Sequence, residues 1–325
     1  MRALTPLLLA ALLLGGCSAL PFVGGKDKEK EQEGYTEEDF QRLIERNLNA
    51  NRWEDAIENL KALEAQFPFG AFAEQAQLSL IYAYHRAADY ENAIAAADRF
   101  IRLHPRHPNV DYAYYLKGLS QLSQSRSFLG GFLPVDVTQR DPASAREAFA
   151  TFGELITLLP ESPYARDARK RMLHLRNLLA RYEIHVANHY FARGAYLAAA
   201  NRGRYVVENF QGTPAVPDAL AVMAEAYHLL GKEDLAEDAV RVLAANYPDY
   251  PSLDDRGRFR FQGVAPDEGR RWLRIASLGL YDDRRAPHYD TRWKYNPEPG
   301  EKKPETPREE KKRSLFRILT LGLFD

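Results

Sequence analysis

The chain has 325 residues, with 44 Lys and Arg against 45 Asp and Glu and a formal net charge of −1. So even a balance offers no global field to a nucleic-acid or strongly acidic partner. A single cysteine excludes an intrachain disulfide.

Residues 1–16 read as an export signal, with Arg2 as the positive start, an apolar run from Leu7 to Leu14, and Gly15 and Gly16 before Cys17. The run is shorter than the roughly 18 apolar residues a membrane-spanning helix requires. Leu14, Gly15, Gly16 and Cys17 together are similar to a lipobox, in which the cysteine is acylated and becomes the mature first residue. The alternative is an ordinary signal peptide with an incidental cysteine, and the rarity of cysteine in this chain favours acylation of Cys17. Several acyl chains on one cysteine hold a protein to a membrane where one alone binds reversibly. Ser18, rather than an acidic residue, follows the cysteine, which points to the outer membrane with the body in the periplasm. Residues 17–34 form the acylated cysteine and a tether, since Gly24 to Gly34 is nearly all Lys, Glu, Asp, Gln and Gly and cannot bury apolar surface.

From 35 to 249 apolar residues recur at helical spacing, as in Leu60, Leu63 and Phe67 or Leu78, Ile81 and Tyr82, so the expected fold is all α. The acidic run Glu37, Glu38 and Asp39 suits the first turn of a helix. A repeat emerges on alignment at Phe67-Pro68, His104-Pro105, Leu159-Pro160, Phe210-Gln211 and Tyr247-Pro248, with Ala56, Ala93, Ala148, Ala199 and Ala236 each 12 residues before the second member. A small residue is needed where the second helix of a hairpin crosses the first, and a proline past the helix end stops it. These features predict a tetratricopeptide-like solenoid of about five helix hairpins. Two intervals exceed the basic 37, at 55 and 51 residues. The first holds an apolar loop at 127–139, which has two readings, tucked against a helix or exposed as a contact surface. The second, Tyr164 to Phe191, lacks Pro and Gly and predicts an extended helix.

Residues 250–325 shift to Arg, Asp, Pro and Gly and read as a mostly disordered extension outside the domain. It carries a duplication, LRIASLGLYD at 273–282 and FRILTLGLFD at 316–325, which reads either as a docking peptide or as tail packing. No nucleotide loop, nucleophile elbow or positioned catalytic pair is present, so no enzyme and no cofactor are expected. His185 and His189 stand one helical turn apart, but Val186 occupies the place where a zincin has its glutamate, and no metal is expected. The expected function is peptide or protein binding on a concave helical surface.

Several segments together, FPFGAFAEQAQLSLIYAYHRAADY, ADRFIRLHPRHPNVDYAYYLKGL, RDPASAREAF, YARDARKRMLHLRNLLARYE and RGAYLAAANR, resemble the BamD family over roughly Tyr35 to Pro248. The resemblance implies a non-enzymatic scaffold and substrate-recognition lipoprotein of the outer-membrane β-barrel assembly complex. Its implied partners are BamA, other assembly-complex lipoproteins, unfolded outer-membrane β-barrel proteins and the outer membrane itself. It places substrate recognition around Phe67, Phe69, Gln75, Gln77, Tyr82 and Tyr84, and contact with BamA at Arg202. A tetratricopeptide lipoprotein serving a pilus, a protease or cell-wall synthesis is the alternative, against which the non-repeat segments argue. The extension past Asp249 departs from the family pattern, and the resemblance does not interpret it.

Overall fold

The computed structural model describes residues 34–124, 141–266 and 284–295. Cys17, the loop at 127–139 and both copies of the duplicated motif lie outside the described residues. Two compact units result, one ending at Ala96 and the other beginning at Ala97.

The first unit holds α1 (Glu37–Asn49), α2 (Trp53–Gln66), α3 (Ala73–Arg86) and the first half of α4 (Tyr90–Leu103). Its core gathers Phe40, Ile44, Leu60, Leu63, Leu80, Tyr84 and Ala93. Helix α1 starts at a capping box: the Asp39 N–H donates to Thr36 Oγ1 at 3.2 Å, and the Thr36 N–H donates back to Asp39 Oδ2 at 3.0 Å. The Thr36 N–H, with the Thr36 hydroxyl donating to the same Oδ2 at 2.9 Å, holds the Asp39 carboxyl below its ordinary pKa.

The second unit continues α4 and adds α5 (Val110–Gln124), α6 (Ala143–Leu158), α7 (Ala165–Ala192), α8 (Tyr196–Asn209), α9 (Val216–Leu229) and α10 (Glu233–Asn246). Beyond them come the two-residue strands β1 (Ala265–Pro266) and β2 (Arg284–Arg285) and the short helix α11 (Arg292–Tyr295). Helix α7 runs 28 residues, as its lack of Pro and Gly predicts. Its length lets it serve three successive clusters: Leu175 and Leu179 pack with Phe152 and Leu155, Ile184 with Val206, and Phe191 with Leu220 and Leu243. Gly203 lets α8 approach α9 closely, because a Cβ there would stand 2.8 Å from the Ala219 carbonyl oxygen.

The tetratricopeptide register is visible in the hydrogen bonds. After α2 the Phe67 N–H returns to the Leu63 carbonyl at 2.8 Å, Gly70 N–H donates to Phe67 O, and Ala73 N–H donates to Gly70 O. The same three steps recur from His104, Leu159, Phe210 and Tyr247, the five positions on which the sequence aligns. Ala56, Ala93, Ala148, Ala199 and Ala236 are all fully buried, as close helix crossings require.

Turns inside the hairpins have their own rule. Asn51, Ala88, Gly194 and Gly231 adopt positive φ, at 56°, 60°, 70° and 68°, and the next N–H reaches back five residues in each case. Ala88 carries a Cβ in the left-handed region, which costs about 1 kcal/mol. Ala88→Gly should therefore raise stability by about that much, read as a higher thermal midpoint. An unchanged midpoint would show that the turn is not held in this conformation.

The domain does not stop at Asp249. Tyr250, Leu253, Phe259 and Tyr289 are buried in one cluster with Phe191, Leu220 and Leu243, so residues 250–266 and 284–295 belong to the folded unit. The fifth turn is made as in the other hairpins, but at Leu253 the chain enters a tight loop instead of a helix, with Leu253 bridged to Phe259. Asp254 satisfies that loop from within, accepting from the N–H groups of Arg256 and Arg258 at 2.9 Å each. Local satisfaction of so many polar groups is why the segment reads as solvated in composition. No described helix is long and apolar enough to cross a membrane.

Candidate functional site

The six positions expected to form one recognition groove divide. Gln75 and Gln77 lie two residues apart on α3, about 200° round the helix, as do Tyr82 and Tyr84. Gln75 and Tyr82 share one face, where Gln75 Nε2 approaches Ser79 Oγ at 3.5 Å and Arg86 Nη1 donates to Tyr82 Oη at 3.3 Å. Trp53 meets the Tyr82 ring edge-on at 5.9 Å, and the Arg86 guanidinium lies over Trp53 at 4.7 Å. The opposite face carries Gln77, donating to Glu64 Oε1 at 3.3 Å, and the buried Tyr84, whose ring lies 5.4 Å from Lys61 Nζ. One groove cannot hold both sets.

Phe67 and Phe69 also part company. Phe67 is half-buried against the core, edge to face on Phe40 at 6.3 Å, whereas Phe69 is 98% exposed on the turn. A real groove does exist beside them. About 230 Å³ of space opens between α1, α2 and α3, floored by Ile44, Leu48, Leu60, Leu63 and Phe72, with Gln41, Glu45, Gln75 and Ser79 among its polar lining. An apolar floor with polar groups beside it is the usual form of a site for an apolar side chain of a peptide.

Arg202, on α8, is paired within its own hairpin. Its Nη1 donates to Glu183 Oε2 of α7 at 2.8 Å, and its guanidinium lies 5.9 Å from the Tyr190 ring centre. The hydrogen bond to Glu183 raises the arginine's pKa above its ordinary value. Glu183 is only 2% exposed and accepts a second guanidinium, Arg146 Nη2, at 3.3 Å. Two cations thus compensate one buried carboxylate. The Arg202 side chain nonetheless keeps 39% of its surface exposed.

Sequence reasoning passed over a buried polar cluster on α7 and α9. Arg181 and Asn188 stand seven residues apart on α7, and Asp218 and Glu225 stand seven apart on α9, all buried. Asp218 pairs with Arg181 and also accepts from Tyr250 Oη at 2.9 Å, Thr291 N at 2.9 Å and Thr291 Oγ1 at 2.7 Å. Glu225 accepts from Gln262 N, Gly263 N and Tyr289 Oη at 2.9, 2.8 and 2.6 Å. Burial and the neighbouring carboxylates push the Tyr250 and Tyr289 hydroxyls well above their ordinary pKa, which keeps both as donors. Burial raises the Asp290 carboxyl, but Arg292 and Arg181 outweigh it and hold it below the ordinary value. Its contribution to stability is therefore present above the ordinary carboxylate pKa and lost as pH falls through the depressed one. The signal in the sequence was a lone Asp and a lone Glu in helix α9, most of which is Ala, Val, Leu and Met. No cluster of three His, Cys, Asp or Glu side chains that could hold a metal occurs among the described residues.

A family described as outer membrane lipoprotein, YfiO, matches residues 33–243, well over half of the chain. The outer membrane protein assembly factor BamD of Neisseria meningitidis serogroup A is 40% identical over 237 residues, 73% of this chain and 89% of its own. The chain belongs to the BamD family. BamD of Vibrio cholerae is 38% identical over 239 residues, covering 74% of this chain and 96% of its own, and that of Xylella fastidiosa 35% over 249, covering 77% and 85%. Among solved structures, a tetratricopeptide-repeat protein of Thermus thermophilus aligns with 66% of this chain and 93% of its own, at 14% identity and a TM-score of 0.31. That score is too low to argue from, and the fold rests on the hydrogen-bond register above. The family match ends at 243, so the anchors Tyr250, Gln262, Tyr289 and Thr291 all lie beyond it.

Proposed function

We propose that this chain is an outer membrane protein assembly factor, a non-catalytic scaffold that receives unfolded β-barrel proteins and works with BamA and companion lipoproteins at the outer membrane. The observation that carries the reading is 40% identity over 89% of a relative named for that role. Five helix hairpins supply the surface such a scaffold needs, since repeat proteins of this kind bind extended or helical segments along their inner helices. Depletion in a Gram-negative host tests it: porins as a class should fall in the outer membrane. Loss of a single appendage with porins intact would refute the proposal.

In the first unit, the groove between α1, α2 and α3 is the proposed receptor for an apolar side chain of the incoming chain, with Gln75 beside it and Phe69 exposed on the neighbouring turn. Gln77, Tyr84 and Phe67 then act through packing. In the second unit, the exposed part of Arg202 is the proposed contact to BamA, where a guanidinium fork suits a carboxylate. Cys17 is the proposed anchor. Cys17→Ser should move the protein from the membrane fraction to the soluble periplasmic fraction, because acylation is lost while the body is untouched. Retention in the membrane at the wild-type level would place the anchor elsewhere.

A further inference from the structure

Residues 286–291 lie across α7 and α9 as a bound peptide lies in a receptor. Asn188 grips the main chain on both sides of one residue: its Nδ2 donates to the Tyr289 carbonyl at 2.8 Å, and its Oδ1 accepts the Tyr289 N–H at 2.9 Å. Two residues on, the Thr291 N–H and hydroxyl both go to Asp218. Gln262 makes a like pair to His288, accepting its N–H and donating to its carbonyl, both at 3.0 Å. Ahead of this, Arg284 and Arg285 pair antiparallel with Pro266 and Ala265. Pro287, Tyr289 and Thr291 are buried while His288 is exposed, the two-residue period of an extended chain.

Two side chains are read as well as the backbone. The Tyr289 ring sits between Phe191 and Phe259, with centroids 6.2 and 6.1 Å away, and its hydroxyl ends on Glu225. The Thr291 hydroxyl ends on Asp218.

Removal of this segment would leave each buried charge with a partner. Without it, Asp218 keeps Arg181 and Tyr250, and Glu225 keeps the N–H groups of Gln262 and Gly263. Asp290 and Arg292 pair with each other, Nη2 to Oδ2 at 2.8 Å, and would leave together as a neutral unit. The side chains that lose both partners are uncharged, the buried amide of Asn188 and the exposed amide of Gln262. No buried charge is stranded, which is the condition for a groove that can stand open. Segment 250–263 differs, because its removal takes both main-chain N–H donors from the buried Glu225 and leaves it Tyr289 Oη alone.

We infer that the α7–α9 face is a peptide-recognition groove, filled here in cis, that takes an extended segment bearing tyrosine followed two residues later by threonine or serine. The incoming segment adds as a strand beside 262–266, places its tyrosine between Phe191 and Phe259, and is gripped by Asn188. A partner displaying such a segment competes with the chain's own residues for the site. The inference stands apart from the assembly role, since every group it uses except those on α7 and α9 lies past the family match.

The experiment is to place a site-specific protease sequence between 267 and 283 in the full chain, cleave it, and add a fluorescent peptide of residues 284–295. Anisotropy should show the peptide entering the cleaved protein and displacing the native segment, with far-UV helix signal unchanged. The uncut chain should take up far less peptide, because its own segment is present at high effective concentration. Asn188→Ala in the cleaved chain should weaken binding about tenfold, and peptides carrying Phe for the tyrosine or Val for the threonine should also bind more weakly. Three results would overturn the inference: no exchange while the helices stay intact, release only together with loss of helix signal, or equal binding of a scrambled peptide.

Discussion

Asp218→Ala should lower the unfolding free energy by about 3–5 kcal/mol, the usual cost of breaking a buried ion pair by removing one partner. Asp218 has no exposed surface and Arg181 keeps only 6% of its own. Once the carboxylate is gone, the nearest acid left to Arg181 is Asp290 at 3.5 Å, already engaged by Arg292. Tyr250 Oη and Thr291 lose their acceptor at the same time. Asp218→Asn keeps an oxygen for those donors but leaves the guanidinium without its charge partner, so it should fall between wild type and the alanine variant. Denaturant unfolding monitored by circular dichroism measures both. A cost under about 1 kcal/mol for the alanine variant would mean that Arg181 re-pairs or reaches water freely, and the network would lose its structural role.

Arg202→Glu should reduce capture of BamA by at least tenfold, the scale of one lost charge-assisted contact. The same change acts inside the hairpin. It removes a donor from the buried Glu183 and sets a second carboxylate beside it, leaving Arg146 as the remaining cation. Discounted for the exposure of Arg202, that should cost about 1–3 kcal/mol of stability. A loss of capture could then come from a loosened hairpin. The full charge swap Arg202→Glu, Glu183→Arg and Arg146→Glu separates the two causes, because it restores both ion pairs of the buried position while leaving the wrong sign facing outward at 202. Stability should return with the swap and capture should not. Recovery of both would confine Arg202 to its own hairpin and leave the BamA contact to other residues.

Much of the fold was legible because its determinants are local. The five buried alanines and the aromatic or apolar residue before each turn sit at fixed spacing, and the structure reads that spacing back as one repeated set of hydrogen bonds. The length of α7 followed from 28 residues without a helix breaker. The division of Gln75 and Tyr82 from Gln77 and Tyr84 was also present in the spacing, since two residues along a helix is more than half a turn. Grouping them from the family resemblance concealed it.

What the amino-acid sequence determined by itself is the hairpin register and the uninterrupted run that becomes α7. Only the tertiary structure decided that Arg202 faces Glu183, and that the extension folds back over α7 and α9. Periodicity records which residues share a face three or four positions apart. It carries no trace of a contact such as Asn188 to Tyr289, made across 101 residues by groups that look solvated until each meets its partner.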